Sequence, residues 1–207
     1  MALVKYNNNS ISAVTSTGLA TGSLVPIKTL TASNSATLSF LNGADSVVFD
    51  GTYPIYKFEF INMHPITNSA DLGFQVDTGT NTNYNIACTS TAFQVGQAED
   101  ASETTLGYQT NDDQAQGSGF QMITQTNAGS GNDESSSGEL LLFNPSSTTF
   151  VKHFISRLNT YWSGTGTFEK YAAGYFNTTT ALTRVQFKMN TGNIDAGKIK
   201  LYGIKDS

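Results

Sequence analysis

The chain has 207 residues and a mass of 22.1 kDa, and only 13% of its residues are charged, against 38% hydrophobic and 11% aromatic. Ser, Thr and Asn supply 67 positions, 28 of them Thr, which is a poor mixture for helix surfaces built from Lys, Glu and Arg. A coiled coil and an α-helical bundle are excluded on that ground, and 13 Phe with 9 Tyr are too many to leave in water as a disordered chain. The net charge is −5, and the 11 basic residues are scattered singly, so no cluster is available to displace counterions from nucleic acid. No segment approaches the roughly 20 apolar residues of a membrane span.

Residues 1–23 are small and polar, with no helical period, and are expected to form an extended arm. The body is expected over 24–207 as one domain. Ala36-Thr-Leu-Ser-Phe-Leu alternates with Leu38 and Phe40 on one face. Tyr53 to Met63 places Tyr56, Phe58 and Phe60 opposite Lys57 and Glu59, the pattern of a half-buried antiparallel strand with Pro54 at its start. Leu72-Gly-Phe-Gln-Val and Asn85 to Val95 are further strands. Residues 96–118 break the pattern: they are acidic and polar, with Leu106 and Tyr108 as the sizeable apolar residues, and are read as an irregular loop. Phe120 to Thr124 returns to strand, and Asn127 to Gly138 is a second polar loop.

Glu139-Leu-Leu-Leu-Phe is a continuous apolar run, as in a strand covered on both faces. Thr149–Trp162, Phe168–Phe176, Val185–Met189 and Lys198–Ile204 follow as strands, the last with Ile199 and Leu201 inward and Lys198, Lys200 and Tyr202 outward. Nine or ten strands without a helix predict an all-β, antiparallel β-sandwich, with a jelly roll as the leading topology.

Chemistry-bearing motifs are sparse. His64 precedes a proline and reads as a turn residue, and His153 alternates with Val151 and Ile155. There is no His-Glu-x-x-His, no Gly-x-Ser-x-Gly and no phosphate-binding loop. Cys88 is the single cysteine and reads as a buried, inert thiol, so no disulfide within the chain is expected. Glu99, Asp100, Glu103, Asp112 and Asp113 share one loop; Asp133, Glu134 and Glu139 share another. They read as solvated acidic loops, with Ca²⁺ binding at 97–118 and 130–139 and glycoside hydrolysis as the lesser alternatives. No enzymatic activity and no cofactor are expected. Tyr161, Trp162, Phe168, Tyr171, Tyr175 and Phe176 are the densest aromatic set, suited to core or subunit contact and, less so, to stacking on sugars.

Ser137-Gly-Glu-Leu-Leu-Leu-Phe-Asn-Pro-Ser-Ser-Thr-Thr-Phe-Val-Lys-His-Phe and Val185 through Ile204 resemble a group of tailed-bacteriophage virion proteins from phages of aquatic bacteria. So does Asp71-Leu-Gly-Phe-Gln-Val-Asp-Thr followed by Asn83-Tyr-Asn-Ile-Ala, and the resemblance spans most of 40–205. The resemblance implies a β-sandwich or jelly-roll body, a homotrimer and attachment to a virion, and it supplies no catalytic residues. The expected role is a capsid cement or decoration protein on the major capsid protein lattice or another virion protein, made in a bacterial host cytoplasm. The alternative is a tail-fibre or tip module that contacts host glycan. No nucleic-acid or membrane partner is expected. Partner contacts are expected from Leu3, Val4, Tyr6, Ile11 and Val14 of the arm, docking as added strand, and from Tyr161, Trp162 and Tyr171.

Overall fold

The computed structural model describes residues 23–124 and 127–206. The expected arm, with Leu3, Val4, Tyr6, Ile11 and Val14, lies outside the described residues apart from Ser23, whose carbonyl accepts the Lys205 N–H at 2.9 Å. The described chain is all-β, and no helix is present among the described residues.

Among the described residues thirteen strands form two antiparallel sheets. They are β1 (Leu24–Thr31), β2 (Leu38–Leu41), β3 (Ile55–Pro65), β4 (Leu72–Thr78), β5 (Cys88–Ala98), β6 (Thr104–Tyr108) and β7 (Gln114–Gly117). Then come β8 (Gln121–Met122), β9 (Ser136–Phe143), β10 (Lys152–Trp162), β11 (Gly166–Phe176), β12 (Leu182–Met189) and β13 (Ile194–Ile204). The larger sheet runs β1-β13-β3-β9-β10-β11-β5-β6, with β7 also paired to β5; the smaller runs β2-β12-β4-β8. This is the expected sandwich in architecture, nine strands against four. The strand order by itself does not establish a jelly roll.

The strands form where the sequence alternates. Tyr56, Phe58 and Phe60 of β3, Leu140 and Leu142 of β9, Phe154 and Leu158 of β10, and Ile199 and Leu201 of β13 all point between the sheets and are buried. Phe40, Phe74, Val76, Val185 and Phe187 meet them from the smaller sheet. At the centre Phe187 makes edge contacts with Phe40, Phe58 and Phe60, at ring-centroid separations of 6.3, 5.3 and 5.3 Å. Phe74 does the same with Phe154 and Phe176, at 5.0 and 5.4 Å. Edge-to-face pairs of this kind add to the stabilisation from burial alone.

Four local readings are corrected. Residues 96–118 are largely strand: β5 runs on to Ala98 and pairs with both β6 and β7. These edge strands carry mostly Thr, Gln and Gly with little apolar alternation, so periodicity could not mark them. His64 lies within β3, not in a turn; its Nε2–H donates to the Gly131 carbonyl at 3.0 Å, and Nδ1 is 3.3 Å from Asp195 Oδ2. The apolar run of β9 is covered on one face only: Leu140 and Leu142 are buried, and Leu141 and Phe143 are half-exposed on the other side. Asp112 is not a solvated loop carboxylate; it is buried. Cys88 is buried as expected, and burial pushes its thiol up to about 12.

Register is broken at Gly197, where β13 bulges against β3. Gly197 has φ +120°, and a Cβ there would sit 2.6 Å from the Asn62 carbonyl oxygen, so only glycine fits. Truncation of the central ring gives a direct check of this core. Phe187→Ala should cost about 3–5 kcal/mol in urea unfolding, because four aromatic neighbours cannot collapse into the space left.

Candidate functional site: the outer face of the large sheet and the buried polar cluster

The face of the larger sheet turned away from the core carries one continuous rung of large side chains. In register it reads Tyr108 on β6, Phe93 on β5, Tyr171 on β11, Arg157 on β10, Glu139 on β9, Glu59 on β3 and Lys200 on β13. Alternation places these residues outward on β3, β5, β9, β10, β11 and β13, where neighbouring residues are buried, and β6 follows through its pairing with β5. Phe93 and Tyr171 stack with centroids 4.7 Å apart and planes inclined by 7°. The Arg157 guanidinium lies 5.5 Å above the Tyr171 ring and pairs with Glu169. That pairing holds the Glu169 carboxyl below its usual range.

Glu59 and Glu139 stand directly opposite each other, which would be repulsive. Lys57 bridges them, at 2.8 Å to Glu139 and 3.1 Å to Glu59. Glu59, Ile61, Ser137, Glu139, Arg157 and Asn159 border a shallow hollow of about 360 Å³. Beside it the surface is apolar. Leu106 is 75% exposed, Tyr108 53%, Ile155 51% and Phe93 44%. Exposed apolar side chains gathered on one face mark an interaction surface more than single ones do.

The aromatic residues singled out from sequence separate in space. Tyr171 belongs to the rung. Phe168 and Phe176 are core. Trp162 packs edge-on against Phe168 at 5.5 Å, at the β10–β11 hairpin end, with Tyr161 beside it. Tyr161 is four residues from Arg157 along β10, about 13 Å away at strand rise, so it is not part of the Tyr171 cluster. Tyr175 stands next to His153, with centroids 5.8 Å apart. Phe93 was not singled out from sequence; its partner across β11 was the missing signal.

A second cluster is inside. Lys170 of β11 is fully buried, with Nζ 2.7 Å from Asp112 Oδ2 and donating to the Thr124 carbonyl at 2.9 Å. Asp71, just before β4, is buried nearby; the Asn190 amide donates to its Oδ2 at 2.9 Å. Desolvation raises the Asp71 carboxyl to about 7, against the opposing pull of Lys170. Gln121 holds the loop of Asp112 in place: its Nε2 donates to the Asp112 carbonyl at 2.8 Å, and Ser90 Oγ donates to its Oε1. Lys152 is a second buried lysine, with Nζ donating to the carbonyls of Phe150 and Thr178 at 2.8 and 3.1 Å. Burial lowers the pKa of both lysines.

Among the described residues no group of three or more His, Cys, Asp and Glu side chains is arranged to hold a metal ion.

The two clusters differ in what substitution should do. Arg157→Ala removes an exposed ion pair and should change unfolding stability by less than about 1 kcal/mol. Lys170→Ala leaves Asp112 buried without its cation and should cost about 3–5 kcal/mol. Chemical denaturation of the two variants side by side checks the contrast. Comparison with protein-family models, with curated proteins and with solved structures finds no match for this chain.

Proposed function

We propose that the protein is a non-enzymatic structural component of a bacteriophage virion, acting as a capsid cement or decoration protein that associates as a homo-oligomer, a trimer, on the major capsid protein lattice. The phage assignment rests on the resemblance of residues 71–87, 137–154 and 185–204. The observation that carries an assembly role is the exposed strip of Leu106, Tyr108, Phe93 and Ile155 around the stacked Tyr171. A wide, rigid sheet presents that strip at fixed geometry, so burying it against a partner requires little ordering of the protein. Aromatic residues with an arginine beside them are the composition of interface anchors. The charge-poor polar remainder, rich in Thr and Asn, suits a rim around such a contact.

A second reading is favoured by one feature. The Phe93 and Tyr171 rings are nearly parallel and lie beside Arg157, Asn159 and Glu169, an arrangement of stacking surface and hydrogen-bonding groups that suits a sugar ring. This is the receptor-binding tip that contacts host glycan.

Phe93→Lys distinguishes them from a surface without a role. Phe93 is exposed, so the variant should remain folded within about 0.5 kcal/mol of the parent. Under the assembly reading, sedimentation of the variant shows smaller species than the parent, and it no longer adds to phage particles lacking their own copy. Under the glycan reading, oligomer mass is unchanged and titration with host-surface oligosaccharide loses its heat signal. A parent that is monomeric, does not add to particles and binds no oligosaccharide overturns both.

A further inference from the structure

The buried cluster holds the parts of a condensation reaction. Lys170 Nζ is 2.7 Å from Asp112 Oδ2. The amine therefore sits in direct contact with the carboxyl. The Thr124 carbonyl fixes Nζ from the other side, at 2.9 Å, and Gln121 fixes the Asp112 backbone. Both reacting groups are walled off from solvent: Lys170 lies between Phe168 and Ala172 along β11 and pairs with Leu158 and Gln94 on the flanking strands. Asp71 is buried in the same region, its Oδ2 accepting from the Asn190 amide at 2.9 Å.

Burial disfavours a separated ammonium and carboxylate. Moving one proton from Nζ to the Asp112 carboxylate turns the ion pair into a neutral amine and a neutral acid, the two reactants of amide formation. Desolvation weakens the hold of Lys170 on its proton, which favours the free amine that the reaction needs. Fixing two reactants in contact converts their encounter into an intramolecular step with a large effective concentration.

We infer that Lys170 and Asp112 become joined by an intramolecular isopeptide bond from Nζ to Cγ. The Nζ lone pair of the neutral amine attacks Cγ of the neutral acid and forms the C–N bond. The proton released from nitrogen passes to the Asp112 hydroxyl. The Cγ–O bond then breaks and water leaves. One amine and one acid give one amide and one water, with no change in oxidation state and no co-reactant. The product ties β11 to the turn between β6 and β7, across the weakly patterned edge of the large sheet. The bond is independent of the proposed virion role.

Mass spectrometry of the denatured full-length chain tests it. The expected mass is one water, about 18 Da, below that of the sequence. A protease digest should yield a branched species containing residues 112 and 170. A chain at full sequence mass overturns the inference. So does a water loss confined to one linear fragment, which marks a succinimide. Lys170→Met should return the chain to full mass, and a branched species in that variant places the link elsewhere and overturns the assignment.

Discussion

The aromatic seam between the two sheets is what the rest of the structure depends on. Phe187 and Phe74 of the small sheet stack at 6.1 Å and reach Phe40, Phe58, Phe60, Phe154 and Phe176 around them. Each ring comes from a different strand or a different turn of the pleat, so the contact fixes register on β2, β3, β4, β10, β11 and β12 together. Shifting any one strand by a residue would turn its ring to the surface. With the seam in place, the alternate residues of β3, β5, β9, β10 and β11 face outward in a fixed rung.

That consequence links core and surface. The stacked pair Phe93 and Tyr171 is aligned because Ala92 and Ala172, their neighbours in β5 and β11, face the core directly opposite each other. The same register sets Arg157 over Tyr171 and faces it with Glu139. The outer surface thus inherits its rigidity from packing on the other side of the sheet. A broad face of this kind binds by shape and apolar area more than by a deep pocket, in keeping with the shallow hollow beside it.

The inner face is not uniformly apolar. Near β8 the small sheet is short, and the space it leaves is filled by Asp71, Asp112, Gln121, Ser90 and Lys170. Lys170 pairs with Asp112, Gln121 with Ser90 and the Asp112 backbone, and Asp71 with Asn190, contacts that offset desolvation. Gln75 follows the same rule on β4: its Nε2 donates to the carbonyls of Ile86 and Gly119, at 3.1 and 2.9 Å, where the segment before β5 covers that strand. One end of the sandwich is therefore held by hydrocarbon and the other by a hydrogen-bonded network.

The sequence by itself determined the class of fold and most of the inner face, because alternation with period two is a local property. Phe58 and Phe60 opposite Lys57 and Glu59, and Ile199 and Leu201 opposite Lys198 and Lys200, are legible in a few consecutive residues. Lys170 lies between Phe168 and Ala172, where alternation points inward and charge points to the surface. Only the tertiary structure decided between pattern and charge, since the carboxylate that compensates it stands 58 positions earlier, at Asp112. The edge strands β6 and β7 were invisible for a related reason: their stability comes from hydrogen bonds to β5, not from side chains of their own. Phe93 and Tyr171 likewise became a pair only through the β5–β11 register. Local periodicity fixes which way a side chain points, and long-range pairing fixes what it meets.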